Sequence, residues 1–64
     1  MNGIGSSGDD VYFEFVAIGR NVKVSAIDAA TGTEVSIMGP ATASQPDLQR
    51  LALQKLMARL KANG

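Results

Sequence analysis

The chain of 64 residues contains no cysteine and no histidine. Without cysteine it can form neither a disulfide nor a thiolate metal site, and without histidine it lacks the residue most often used as a general base. A domain this small buries only about 60% of its unfolded surface and usually needs a disulfide, a metal or a partner subunit. Oligomerisation is the stabilising device that remains, and the lack of cysteine fits a reducing cytoplasm.

Neither sign of charge is in excess, because six basic residues balance six acidic ones. This balance does not favour a general attraction to nucleic acid or to anionic lipid. The sequence has no run approaching the ~20 apolar residues of a membrane span, and its amino terminus lacks a secretory signal pattern. We therefore expect a cytoplasmic protein without a membrane partner.

The first ten residues are rich in glycine and serine, which predicts a disordered tail over residues 1–10 and one domain over residues 11–64. Gly3, Gly5 and Gly8 match the nucleotide-binding pattern G-x-G-x-x-G. That pattern binds a pyrophosphate only when a strand precedes it and a helix follows. Here a strand follows, so no cofactor is predicted.

Three segments rich in β-branched and aromatic residues predict strands over residues 11–18, 22–29 and 33–38. Turns at residues 19–21 and 31–32 separate them, and such short connections require antiparallel neighbours. Gly39-Pro40 is expected to end the sheet, since proline cannot donate to a ladder. Ser44-Gln45-Pro46-Asp47 resembles a capping box and predicts a helix over residues 46–62. The predicted fold class is α+β, a three-stranded β-meander followed by one helix (β-β-β-α) and completed by dimerisation.

An even number of residues in each turn would bring the apolar residues of all three strands to one face of the sheet. The helix is expected to pack on that face, which would contain Phe13, Phe15, Ala17, Val22, Val24, Ala26, Val35 and Ile37. Asp28 is interpreted as a turn residue near the end of the second hairpin.

More apolar residues remain than one helix and one sheet face can bury. The opposite face of the sheet and the broad apolar surface of the helix both show the surplus, although a single core-facing helix needs a stripe of only about 100°. We predict a homodimer whose interface draws on Tyr12, Val16, Ile18, Ile27, Met38, Leu51, Leu53, Leu56, Met57 and Leu60.

Two dimer topologies are open. The first or third strand has little charge to protect its edge and could pair with another copy. Alternatively, a helix or strand could be exchanged between protomers, with a hinge at residues 39–45. The same apolar surface could instead dock a larger protein or a peptide.

Nucleic-acid binding through the basic helix is a second alternative. Tyr12, Phe13 and Phe15 lie on one strand, as in sheets that stack bases. However, Phe13 and Phe15 fall on the predicted core face, so this partner is not favoured.

Catalysis and metal binding are not predicted. Lys23 and Ser25 share a strand face, but this is common patterning in an antiparallel sheet. The acidic residues do not have the spacing of a calcium loop. We expect a protein that is not an enzyme and has neither cofactor nor metal.

The run from Val22 to Ile37, with Tyr12-Phe13-Glu14-Phe15 and the later Leu51-Ala52-x-x-Lys55-Leu56, resembles a family of short uncharacterised alphaproteobacterial proteins, a domain of unknown function. The resemblance covers roughly residues 11–60. It implies a one-domain architecture and brings no activity, substrate or catalytic residue.

Overall fold

The computed structural model describes residues 10–63. It contains three strands and a helix in the predicted order: β1 (Val11–Ile18), β2 (Asn21–Asp28), β3 (Glu34–Pro40) and α1 (Gln45–Asn63). The strands form one antiparallel sheet in the order β1-β2-β3. The predicted β-β-β-α meander is confirmed.

The register of the sheet is the predicted one. Phe15 lies opposite Val24, which lies opposite Ile37. Residues directly opposite one another share a face, so the predicted apolar set lies together on what we call the inner face. The outer face is the other side of the sheet.

Four strand boundaries differ from the prediction, since β2 covers Asn21–Asp28 instead of residues 22–29 and β3 covers Glu34–Pro40 instead of residues 33–38. Asn21 belongs to β2 and pairs with Ile18, because the first turn needs only Gly19 and Arg20. Gly19 adopts a φ of 61°, which glycine tolerates without strain. β3 continues through Pro40, which pairs with Asn21; proline is acceptable there because β3 is an edge strand.

The second hairpin is held by Asp28, as the sequence predicts. Its carboxylate accepts hydrogen bonds from the backbone N–H of Thr31 (3.1 Å) and from the Thr31 hydroxyl (2.7 Å). The carbonyl oxygen of Asp28 also accepts the N–H of Gly32 at 2.7 Å. These bonds form a closed turn, which fixes the start of β3 against β2.

The helix begins one residue before the predicted start, at Gln45, and continues to Asn63. The predicted cap is present, since the hydroxyl oxygen of Ser44 accepts the N–H of Asp47 at 3.4 Å. Asp47 also forms an ion pair with Arg50 (2.8 Å) on the exposed side of the helix.

The helix packs on β2 and β3 and leaves the inner face of β1 less covered. The fully enclosed core comprises Val24, Ala26, Val35, Leu48, Ala52 and Leu56. Phe13 and Phe15 of β1 pack against this core but stay only half-buried. The off-centre position of the helix therefore leaves β1 with an incompletely covered inner face.

Residues 1–9 of the predicted tail lie outside the described residues. Asp10 continues the β1 ladder by one residue, because its carbonyl oxygen accepts the N–H of Ala29 at 3.0 Å.

Candidate interaction site

The free edge of β1 offers a complete row of backbone hydrogen-bonding groups. In an antiparallel ladder, successive residues direct these groups alternately to the two sides of the strand. The bond between Ala29 and Asp10 shows that the even-numbered residues of β1 bond to β2. The odd-numbered residues therefore point away from the sheet, and they are Val11, Phe13, Phe15 and Ala17. Among residues 10–63, no strand pairs with this edge.

The side chains of β1 do nothing to protect that edge. The strand is eight residues long, has no glycine or proline, and has one charged residue, Glu14. Native sheets usually protect an edge with charges, proline, a bulge or a covering element. The edge of β1 thus has the length and composition of a strand that accepts another strand.

At the opposite edge of the sheet, the hydrogen bonds between β2 and β3 show which backbone groups of β3 face outward. The N–H of Ala41 donates to the carbonyl oxygen of Arg20 at 2.8 Å, which continues the β2–β3 register. The odd-numbered residues of β3 therefore bond to β2. The residues facing outward are Glu34, Ser36, Met38 and Pro40.

Three features block the β3 edge. The ammonium group of Lys55 donates to the carbonyl oxygen of Ser36 at 2.7 Å. Pro40 has no N–H to offer, and its carbonyl oxygen already accepts the N–H of Ala43 at 2.9 Å. The expectation of an unprotected edge is therefore wrong for β3, because Lys55 of the helix and Pro40 block its backbone groups. The side chains of β1 leave its edge unprotected, as expected.

A groove runs beside β1, between the strand and the helix. Its volume is about 530 Å³, within the range of pockets that bind small molecules or side chains. Most of its lining is apolar, with one carboxylate and one amide: Val11, Phe13, Asp28, Gln49, Leu53, Met57 and Leu60. A strand added at the β1 edge would place alternate side chains next to this groove.

The five predicted interface residues of the sheet lie on the outer face, which the helix does not cover. Tyr12, Val16, Ile18 and Met38 are exposed, from 40% for Val16 to 54% for Met38. Ile27, on the central strand, is half-buried by its neighbours. The structure thus brings these residues to one surface, as the sequence predicts, without showing what contacts it.

The five predicted interface residues of the helix are divided among different surfaces. Leu56 is fully buried in the chain's own core, so it offers no surface to a partner unless the helix is exchanged. Leu53, Met57 and Leu60 line the groove. Leu51 is 52% exposed and lies one helical turn before Lys55, on the side towards β3.

Sequence reasoning left open whether the first or the third strand offers the open edge, and it missed the role of Lys55. Phe13 was assigned to the core, and it does pack there, yet it also lines the groove. In the sequence, Lys55 is one of several basic residues of the helix. A helical wheel places it beside the apolar row, but only the tertiary packing shows which sheet edge it reaches.

Ser25, which shares a strand face with Lys23, has a structural role. The Ser25 hydroxyl is buried and forms a hydrogen bond with the Ser36 hydroxyl (3.1 Å). Within residues 10–63, no three acidic side chains come close enough to hold a metal ion. The described part of the chain also contains no helix with the length and apolar content needed to cross a membrane.

Comparison with known proteins gives a family and nothing beyond it. No curated protein matches the chain, and no solved structure matches it. One family model matches residues 8–63, which include all three strands and the helix. By that match, the chain belongs to the family described as Domain of unknown function (DUF6898).

Proposed function

We propose that this chain is a non-enzymatic protein that acts as a homodimer, formed when the β1 strands of two copies pair antiparallel at their free edges. The observation that carries the proposal is the contrast between the two edges of the sheet. Among residues 10–63, no strand pairs with the four outward-directed residues of the β1 edge, whereas Lys55 and Pro40 interrupt the β3 edge. A sheet with one open edge and one protected edge can pair with only one other copy, which gives a closed dimer.

The dimer would be a six-stranded sheet with both helices on the same face, because a two-fold axis between antiparallel strands stands perpendicular to the sheet. Each helix lies over β2 and β3, so strand spacings of ~4.8 Å put the two helix axes roughly 19 Å apart. Helices in contact are about 8–10 Å apart. The strands would therefore make the interface, and the two grooves would lie between the helices.

Exchange of the helix between protomers is the alternative topology. The connection at residues 41–44 is short, and the helix packs on its own sheet through Leu48, Ala52 and Leu56. An exchanged helix would repeat those contacts with the partner's sheet and would leave the β1 edge free. The two topologies therefore differ in whether β1 is paired.

Sedimentation equilibrium over a wide dilution series tests the proposal. The chain mass is 6.7 kDa, so a dimer has twice that mass. A dimer supports the proposal, and a folded monomer at all concentrations contradicts it. Ile27→Asp distinguishes edge pairing from an interface on the outer face of the sheet. Edge pairing leaves this variant dimeric, whereas an outer-face interface would be disrupted and the variant would be monomeric.

A second candidate function is recognition of a peptide or a larger protein by strand addition at the same edge. The groove favours it, because peptide-binding sheets combine an open edge with pockets for alternate side chains. This reading requires a monomer in the absence of the partner. A monomeric mass, together with binding of a synthetic peptide with the β1 sequence, would support it.

Nucleic-acid binding has less support. Arg50 is paired with Asp47, and Lys55 is held at the sheet edge. Phe13 and Phe15 lie on the inner face and pack against the core. A gel-shift assay at low salt with random DNA and RNA tests this, and binding at micromolar protein would revive it.

The proposal includes two expectations about origin: an alphaproteobacterial source and a cytoplasmic location. A chain without cysteine has no disulfide to lose in a reducing compartment. Fractionation of cells that express the chain, with an antibody against it, tests the compartment.

A further inference from the structure

We propose that the two β1 strands pair in one register, with Phe15 on the two-fold axis and each Tyr12 opposite the partner's Ile18. The inference rests on the proposed edge-paired dimer and adds which residues meet across it. The direction of the backbone groups in β1 and the positions of Asp10, Glu14 and Arg20 favour this register.

The backbone limits the choice to a few registers. Only the odd-numbered residues of β1 point outward, so odd-numbered residues must pair with odd-numbered residues. Two-fold symmetry then places the axis at one residue, which lies opposite its own copy. Registers centred on Phe13, Glu14 or Phe15 keep three or four hydrogen-bonded pairs between the strands.

The register centred on Glu14 forms the most pairs but brings like charges together. It retains four hydrogen-bonded pairs. Val11 lies opposite the partner's Ala17, Phe13 lies opposite the partner's Phe15, and two-fold symmetry repeats both pairs. However, the two Glu14 side chains would lie directly opposite each other in a narrow pair, with Cα atoms about 4.5 Å apart. Like charges directly opposite destabilise a sheet. Glu14 is on the exposed outer face, and the residue opposite it in β2 is the neutral Ser25.

The register centred on Phe15 removes that repulsion. Glu14 then lies opposite the partner's Val16, and Phe13 lies opposite the partner's Ala17, which fits a large side chain against a small one. One of the four hydrogen-bonded pairs is given up. In exchange, the two carboxylates separate.

The same register adds attraction at both ends of the interface. Arg20 is the second residue of the β1–β2 turn and forms no ion pair among residues 10–63. With Phe15 on the axis, the partner's Arg20 comes level with Asp10. Two-fold symmetry makes this contact twice. The register centred on Phe13 separates the glutamates as well, but it carries the partner's Arg20 past the described end of β1.

The absence of native cysteine makes the register measurable by disulfide formation. Tyr12, Val16 and Ile18 are all exposed on the outer face, so replacing them leaves the core intact. In the proposed register the Tyr12→Cys/Ile18→Cys variant places cysteines about 4.5 Å apart at Cα across the interface, which is within disulfide reach. In the Tyr12→Cys/Val16→Cys control they are offset by two residues, about 8 Å apart and out of reach.

We expect oxidised Tyr12→Cys/Ile18→Cys to run as a covalent dimer and Tyr12→Cys/Val16→Cys to remain as separate chains on a non-reducing gel. Adding Glu14→Gln removes the repulsion and should move the cross-link to the Tyr12→Cys/Val16→Cys pair. Glu34→Gln makes the same charge change on β3, away from the interface, and should leave the pattern unchanged.

The outcomes separate this inference from the proposed dimer. A dimeric mass with preferential cross-linking of the 12/16 pair in the native charge background overturns the register and leaves the edge-paired dimer standing. A dimeric mass without either cross-link overturns the register, because both the register centred on Phe13 and a dimer without edge pairing keep the two cysteine pairs apart. A monomeric mass overturns the proposed function itself. If Glu14→Gln does not move the cross-link, Glu14 does not select the register.

Discussion

Ala17→Pro is the substitution that addresses the β1 edge while sparing the chain's own sheet. The Ala17 N–H points outward and bonds to nothing within residues 10–63, and its side chain is exposed. Proline is tolerated on an edge strand when the missing N–H faces solvent. We therefore expect Ala17→Pro to fold with nearly native secondary structure and to dimerise less tightly.

The magnitude follows from symmetry. Each copy loses one donor, so the dimer loses two interchain hydrogen bonds. Each bond contributes a net ~0.5–1.5 kcal/mol, so the loss is about 1–3 kcal/mol, which raises Kd roughly 5- to 150-fold. The bulk of the proline ring at the interface adds to this. Sedimentation equilibrium measures the change in Kd.

Val16→Pro is the matched control. The Val16 N–H belongs to the β1–β2 ladder, because Val16 and Lys23 form one of the hydrogen-bonded pairs, so proline there removes a bond of the chain's own sheet. We expect Val16→Pro to lower the unfolding temperature far more than Ala17→Pro does, as followed by circular dichroism. A folded Ala17→Pro variant with an unchanged Kd would refute the assignment of the interface to the β1 edge.

Three further predictions concern the remaining structure. Leu56→Ala opens a cavity under the helix and should lower the free energy of unfolding by about 2–5 kcal/mol in urea titration; a loss below this range would mean that Leu56 is not enclosed. Gly39→Ala places a methyl group against the buried Leu48 side chain and should cost about 1–3 kcal/mol in the same assay; a neutral result would show that the helix start can shift. Lys55→Gln removes the charged cover of the β3 edge and should increase association beyond the dimer in light scattering at high concentration; unchanged scattering would show that Pro40 and Ala43 suffice to block that edge.

The fold could be predicted because its local signals agree with one another. Alternating apolar residues, short turns and a capped helix all specify the same meander, and the even turn lengths fix the register. The small errors at Asn21 and Pro40 arise from backbone geometry. Asn21 is typical of turns, but the first turn needs only two residues, so Asn21 joins β2. An edge strand tolerates proline where a central strand does not, so β3 continues through Pro40.

The candidate site could be predicted only in part. The surplus of apolar side chains is visible in the sequence, and the outer-face residues were placed correctly together. The position of the helix over β2 and β3 is a tertiary property, and it alone decides that Leu56 is enclosed, that Leu53 and Met57 line a groove, and that Lys55 reaches Ser36. Backbone groups carry no side-chain signature, so the open edge of β1 could be located only in the structure.

Amide hydrogen exchange, resolved by residue with NMR, tests the central claim most directly. In a lone chain, the even-numbered amides of β1 bond to β2 and are protected, while those of Val11, Phe13, Phe15 and Ala17 exchange freely. In the proposed register Phe13, Phe15 and Ala17 make the interchain hydrogen bonds, so we predict that these three amides become protected at concentrations where the chain is dimeric, and that dilution restores their exchange. Rapid exchange of these three amides in a sample of dimeric mass would contradict edge pairing, and would place the interface on the outer face or in an exchanged helix.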